Sequence, residues 1–238
     1  MGNDFFRFKQ FTVRQGGAAM KVGVDSVLLG AWVSANDPAR ILDVGAGTGL
    51  LALMMAQRYP EAMIDAVEID PEACRQALEN IANSPWRDRI RVICGDFRDD
   101  AGHGRSRYDL IISNPPYFTA SLKPSDAKRH AARHNDSLPH GRLLAESAKL
   151  LADAGVLAVT LPSAEALRFI DKAAACGLFV KRRLHVQSIP SKPAFRILVE
   201  LSKTKYPQEE ETLCIERIDR LDFTSEYKDL TRAFYLKF

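Results

Sequence analysis

The sequence predicts an α/β protein: a seven-stranded, mostly parallel sheet with helices on both faces and an antiparallel hairpin at one edge. Three observations carry that prediction. From residue 40 onward, short apolar runs alternate with helical stretches. A glycine-rich turn follows the first of those runs. Two β-type segments between residues 178 and 201 are joined by a connection too short for a parallel crossover.

Ile41 to Val44 reads as the first strand of the alternation, and Leu50 to Arg58 as a helix ended by Pro60. A strand from Met63 to Ile69 leads into a helix opened by Asp70-Pro71, with proline suited to the first turn. Ile90 to Cys94 and Tyr108 to Ser113 follow as strands. A helix over Leu138 to Leu151 then precedes a strand over Gly155 to Leu161. Past Ser163 another helix runs to Gly177. Leu178 to Val186 and Phe195 to Leu201 form the hairpin, joined by the turn-rich segment from Ser188 to Pro193. The chain reads as one domain over residues 1–238, with extensions at 1–39 and 206–238. The polar connection from Phe118 to Pro139 has no evident element of its own, which in a compact domain points to function.

Hydrophobic residues make up 46% and charged residues 26%, ordinary values for a soluble protein. No apolar run approaches the ~18 residues a membrane span needs. The amino terminus lacks the pattern of a secretory signal, so a cytoplasmic protein is expected. Cys74, Cys94, Cys176 and Cys214 form neither a C-x-x-C pair nor a cluster with histidine, and are expected as free thiols with no metal site. The net charge of +3 is unevenly spread. Residues 181–205 carry seven Lys/Arg against Glu200 alone, which suggests a basic face, whereas residues 206–238 carry eight acids against five bases.

The first strand runs into Asp43-Val44-Gly45-Ala46-Gly47-Thr48-Gly49. Glycines there turn the backbone sharply and keep side chains away from a ligand lying across the strand ends. The spacing is G-x-G-x-G, not the G-x-G-x-x-G of dinucleotide sites, and it favours S-adenosylmethionine. Glu68 closes the second strand where a carboxylate can accept from both ribose hydroxyls, with Asp65 and Asp70 as weaker alternatives. Asp96 could accept from an adenine amino group while Phe97 packs on the ring.

The strand ending at Ser113 delivers Asn114-Pro115-Pro116-Tyr117 to the same crevice. An amino group conjugated to a ring is a poor nucleophile and acquires positive charge when methylated. The Asn114 side-chain oxygen and the Pro115 carbonyl can accept its two hydrogens and stabilise that charge. The prolines stiffen the turn, and Pro116 and Tyr117 offer a surface on which a base can stack. No general base is required.

Together the glycine loop and this tetrapeptide resemble amino methyltransferases, and flanking segments narrow the likeness. Arg14 to Gly23, Asp25, Leu28-Leu29-Gly30 and the ending Leu230 to Leu236 are similar to the bacterial valine-tRNA adenine-N6 methyltransferase family. Val24 and Ala233 depart from it, where threonine and an acidic residue would be expected. The resemblance implies transfer of a methyl group from S-adenosylmethionine to the adenine N6 just 3′ of the anticodon of valine tRNA. It implies a Rossmann-like fold, in which residues 1–39 help to form the site and Lys21 and Asp25 lie near the methionine end of the cofactor. For tRNA, Lys128, Arg129 and Arg133 in the polar connection, and Lys181 beyond it, are the candidate contacts. A monomer is favoured. The alternatives are protein glutamine methylation and other nucleic-acid amino methylation.

Overall fold

The computed structural model describes residues 4–16, 21–97, 107–116, 140–218 and 221–238. Two short strands, β1 (Phe5–Arg7) and β2 (Thr12–Arg14), pair as an antiparallel hairpin before helix α1 (Val24–Trp32). The alternating body then runs β3 (Arg40–Val44), α2 (Leu50–Arg58), β4 (Met63–Glu68), α3 (Pro71–Ala82), β5 (Ile90–Cys94) and β6 (Tyr108–Ser113). It continues through α4 (His140–Leu150), β7 (Leu151–Pro162), α5 (Ser163–Ala175), β8 (Phe179–Gln187), β9 (Arg196–Ser202), β10 (Glu209–Cys214) and α6 (Ser225–Thr231).

The main sheet has the order β10-β8-β9-β7-β6-β3-β4-β5. Only β9 runs against its neighbours, pairing antiparallel with both β7 and β8. All seven expected strands form, and β10 adds an eighth beyond the β8–β9 hairpin. It pairs parallel to β8, so its run of acids meets the basic run of that strand. Arg182 Nε donates to Glu211 at 3.0 Å, His185 contacts Glu210 at 2.6 Å, and Arg183 donates to Gln208 at 2.6 Å. Arg182 and Arg183, among the bases of the expected basic face over residues 181–205, are therefore engaged with the neighbouring edge of the sheet.

Alternate strand residues feed two apolar layers, as a sheet covered on both faces requires. Ile41, Leu110 and Ile112 join α1, α2 and the amino-terminal hairpin on one side. Leu42, Val44 and Ile111 join α4 and α5 on the other. Helix α2 is buried along Leu50–Ala56 and lies close against α1. A Cβ at Gly30 would come within 2.7 Å of Met54 Sδ, so a larger residue there would require the Met54 side chain to move. The two extensions pack on each other: Lys9 Nζ donates to the Arg232 and Phe238 carbonyls, beside a cluster of Phe6, Phe8, Tyr227 and Tyr235.

One cysteine expectation is corrected. Cys74 and Cys94 are joined as a disulfide, with Cα atoms 5.7 Å apart, while Cys176 and Cys214 are free. Their separation of 20 residues carries no motif, yet α3 returns its first turn to the carboxyl end of β5 and so brings them together.

Candidate active site

Strands β3, β4, β5, β6 and β7 are mutually parallel, so their carboxyl ends share one rim. Strand order reverses between β3 and β6, where an open α/β sheet places its ligand crevice. The glycine loop leaves β3 and the tetrapeptide leaves β6 at this point. Ser113 Oγ donates to the Val44 carbonyl at 2.8 Å, which ties the two strand ends together.

The loop is held from three directions. Gly45 and Ala46 donate to the Val67 carbonyl at 2.9 and 3.0 Å. Glu68 Oε2 accepts from Gly47 N at 2.7 Å, and Glu68 Oε1 accepts from Asp70 N at 2.9 Å. Asn80, buried on α3, donates to the Thr48 carbonyl at 2.9 Å and exchanges two further bonds with the Arg14 backbone. Gly47 has φ +56°, a left-handed conformation that favours glycine, and a Cβ built there meets nothing within 4 Å. The loop's outer side is open where a ligand would lie. Gly49 caps α2.

Asp43 stands beneath this loop, fully buried, and its Oδ2 accepts from Ala52 N at 3.0 Å. Burial pushes its carboxyl up to about 7, against the Ala52 bond and with help from the nearby Glu68 charge. It braces the start of α2 against β3. Glu68 is also buried, but a carboxylate has about four acceptor positions and the two backbone donors fill only part of them. That capacity fits a ribose diol. Asp65 lies toward the opposite end of β4, bound to Tyr108, Arg40 and Arg91, and Asp70 caps α3 by accepting from Ala73 N. Asp65 is thus engaged away from the rim, whereas Asp70 stands at the rim with its Oδ1 used in the cap.

After β5, Gly95 N donates to the Glu68 carbonyl at 2.9 Å, which brings Asp96 to the rim, half-buried. Phe97 is 4% exposed and belongs to the apolar layer of Leu42, Val44 and Val67. At the tetrapeptide, Asn114 is half-buried, Pro115 buried and Pro116 exposed. Asn114 Nδ2 donates to Ser26 Oγ at 2.8 Å. Asp25 is ion-paired with Arg196, Nε to Oδ2 at 2.9 Å, and Lys21 is exposed just before α1.

The structure thus gathers Asp43, Gly45, Ala46, Gly47, Gly49, Glu68, Asp96, Asn114, Pro115 and Pro116 around one crevice, with Asp25 beside it. Lys181 is separate. It lies near the amino end of β8, which runs the same way as β7, and so near the opposite end of the sheet, 5.8 Å from the Tyr206 ring centroid. Tyr117, Lys128, Arg129 and Arg133 lie outside the described residues. Ser26, Asn80 and Ser113 were not singled out from the sequence, and Arg196 was read only as one of the bases of residues 181–205. The one signal for Ser26 was its place beside Asp25, which carries part of the family likeness.

A sheet with a glycine cradle, a ribose-type acid and an Asn-Pro-Pro turn on one rim defines a methyltransferase. The methyltransferase small domain matches residues 18–168. Similarity extends beyond it. The chain is 48% identical to the tRNA1(Val) (adenine(37)-N6)-methyltransferase of Trichodesmium erythraeum, over all of both chains. It is also 48% identical to that of Bacteroides fragilis over all of both chains, and 45% identical to that of Tolumonas auensis over 100% of this chain and 99% of the other. The chain belongs to the tRNA1(Val) (adenine(37)-N6)-methyltransferase family. Among solved structures, the predicted O-methyltransferase Atu636 of Agrobacterium tumefaciens shares the fold with a TM-score of 0.67 at 20% identity, covering 88% of this chain and 96% of that one.

Among the described residues, no group of three His, Cys, Asp or Glu could hold a metal ion. No described helix is long and apolar enough to cross a membrane.

Proposed function

We propose that this chain methylates the N6 amino group of adenine 37 in valine tRNA, using S-adenosylmethionine, in the bacterial cytoplasm. The observation that carries the reading is the pairing of the two strand ends: Asn114-Pro115 stands beside the glycine loop, with Ser113 Oγ bound to Val44 O. Relatives alike over their whole length and named for this activity support the acceptor.

The open outer side of Gly47 and the spare acceptor positions of Glu68 suit a nucleoside with an amino-acid tail. Asp25 stands in the first turn of α1 beside Ser26, the partner of Asn114, and Lys21 precedes that helix; their charges suit that tail's amino group and carboxylate respectively. S-adenosylmethionine supplies the methyl group on a sulfonium that departs as a neutral thioether. Asn114 Oδ1 and the Pro115 carbonyl accept the two hydrogens of the adenine amino group and so aim its lone pair. Their dipoles lie where positive charge develops, so stabilisation is present before the reaction begins. The methylated nitrogen then releases its proton to solvent. Tyr117 and Pro116 flank the base, and Lys128, Arg129 and Arg133 contact phosphates.

The test is incubation with labelled S-adenosylmethionine and, separately, total tRNA, bulk protein or duplex DNA, followed by digestion to nucleosides or amino acids. Label in N6-methyladenosine from tRNA is expected. Label in glutamine or in DNA bases would refute the acceptor.

A further inference from the structure

The proposed chemistry needs the oxygen of the Asn114 carboxamide, and not its nitrogen, turned toward the substrate. The two ends of a carboxamide have nearly the same shape, so hydrogen bonds decide which way it faces. Asn114 Nδ2 donates to Ser26 Oγ at 2.8 Å, across 88 residues of sequence. With Nδ2 facing Ser26, Oδ1 is turned to the other side of the amide.

Ser26 is itself held in place. It lies in the first turn of α1, and the residue before it, Asp25, is ion-paired to Arg196 at the start of β9. Strands β9, β7 and β6 are consecutive in the sheet, so the first turn of α1 bridges from β9 to the end of β6. Successive helix residues point about 100° apart. Asp25 can therefore face β9 while Ser26 faces Asn114. Further along, α1 is fixed to α2 by the close approach at Gly30 and by Arg58 Nη1 donating to the Gly30 carbonyl at 2.8 Å.

We infer that Ser26 is a positioning residue: it orients the Asn114 carboxamide so that Oδ1 receives the hydrogens of the target amine. This rests on the proposed role of Asn114. Removing the hydroxyl takes away the partner that holds Nδ2, so the amide is no longer held with Oδ1 turned toward the amino group.

A double-mutant cycle separates orientation from folding. Ser26→Ala should lower the single-turnover rate about tenfold, equivalent to about 1.4 kcal/mol, with little change in affinity for S-adenosylhomocysteine. Ser26→Thr, which keeps the hydroxyl, should restore most of the rate. In an Asn114→Asp background both side-chain oxygens accept, so there is no orientation to fix. Ser26→Ala should then cost less than about twofold, the remainder of that cycle being the coupling. Equal losses in both backgrounds would make Ser26 merely structural and overturn the inference. So would an undiminished rate in the Asn114 background.

The protein without ligand gives a second readout. The side-chain amide protons of Asn114, assigned by their loss in Asn114→Ala, should exchange faster with solvent in Ser26→Ala. Unchanged exchange would overturn the inference even if Asn114→Asp turned over too slowly to measure. Should Asn114→Ala keep a normal rate, the proposed role of Asn114 fails. Should Asn114→Ala lose its rate while Ser26→Ala does not, only the role of Ser26 fails.

Discussion

Replacing Glu68 by glutamine should weaken cofactor binding although the side chains are almost the same size. The two carboxylate oxygens serve different backbone donors, Oε2 for Gly47 N and Oε1 for Asp70 N. A carboxamide has one oxygen and one nitrogen. Whichever way it turns, an NH2 group faces a backbone N–H, and one of the two bonds is lost. The negative charge and one acceptor for a ribose hydroxyl are lost with it. A hydrogen bond to a charged group is worth about 1.5–3 kcal/mol, so loss of one such bond should lower affinity roughly 10- to 150-fold. Calorimetry with S-adenosylhomocysteine measures this without turnover, and thermal melting checks that the fold survives. Hydrogen exchange at the Gly47 amide should quicken if that is the bond broken. Glu68→Ala removes both acceptors and should weaken binding further. Unchanged affinity in both variants would refute the reasoning and remove Glu68 from the site.

Asp43 gives a pH-dependent prediction. Its carboxyl titrates at 3.8 when unperturbed and at about 7 in the fold, so its contribution to stability is fully present below the lower value and lost as pH rises through the upper one. At about 1.36 kcal/mol per pH unit the upper limit of that loss is about 4 kcal/mol. Asp43→Asn can still accept from Ala52 N, so it should melt at higher temperature than the parent at pH 8 and show a flatter profile between pH 4 and 8. A melting temperature at pH 8 below the parent's would contradict this. Replacing Lys128, Arg129 and Arg133 together should weaken tRNA binding and reduce the slope of log affinity against log salt. The reduction should be up to about 0.7–0.9 per lost phosphate contact, with cofactor affinity unchanged. Lys181→Ala is the control from the other end of the sheet and should leave the slope as it was. An unmoved slope in the triple variant would exclude these three residues as phosphate contacts.

The parts of the fold set by local pattern were legible in the sequence. Helix α2 occupies Leu50–Arg58 and β6 occupies Tyr108–Ser113, as read from apolar runs and their punctuation. Asp70 caps α3 as its position before proline suggested. The glycine loop and the tetrapeptide were legible because each is continuous and each follows a strand of a parallel sheet, which fixes the end at which it emerges. What long-range pairing decides was not legible. Glu209–Glu211 look like a solvated acidic run until β10 is laid beside the bases of β8. Strand β7 begins at Leu151, earlier than the apolar run announces, because its pairing with β6 slips between Tyr108 and Leu110. The contacts of Ser26 with Asn114 and of Asp25 with Arg196 span 88 and 171 residues, and no spacing rule reaches that far.

The claim that Asn114 accepts from the amine being methylated is tested most directly by single-turnover methylation of valine tRNA at saturating cofactor and RNA. These conditions separate the chemical step from binding. By analogy with removal of one side-chain donor from an oxyanion hole, Asn114→Ala should slow that step on the order of a hundredfold to a thousandfold. Its affinity for the cofactor should be preserved, and Asn114→Asp should fall between Asn114→Ala and the parent. A near-parental rate for Asn114→Ala with intact cofactor affinity would mean that the tetrapeptide is only a turn, and would contradict the mechanism.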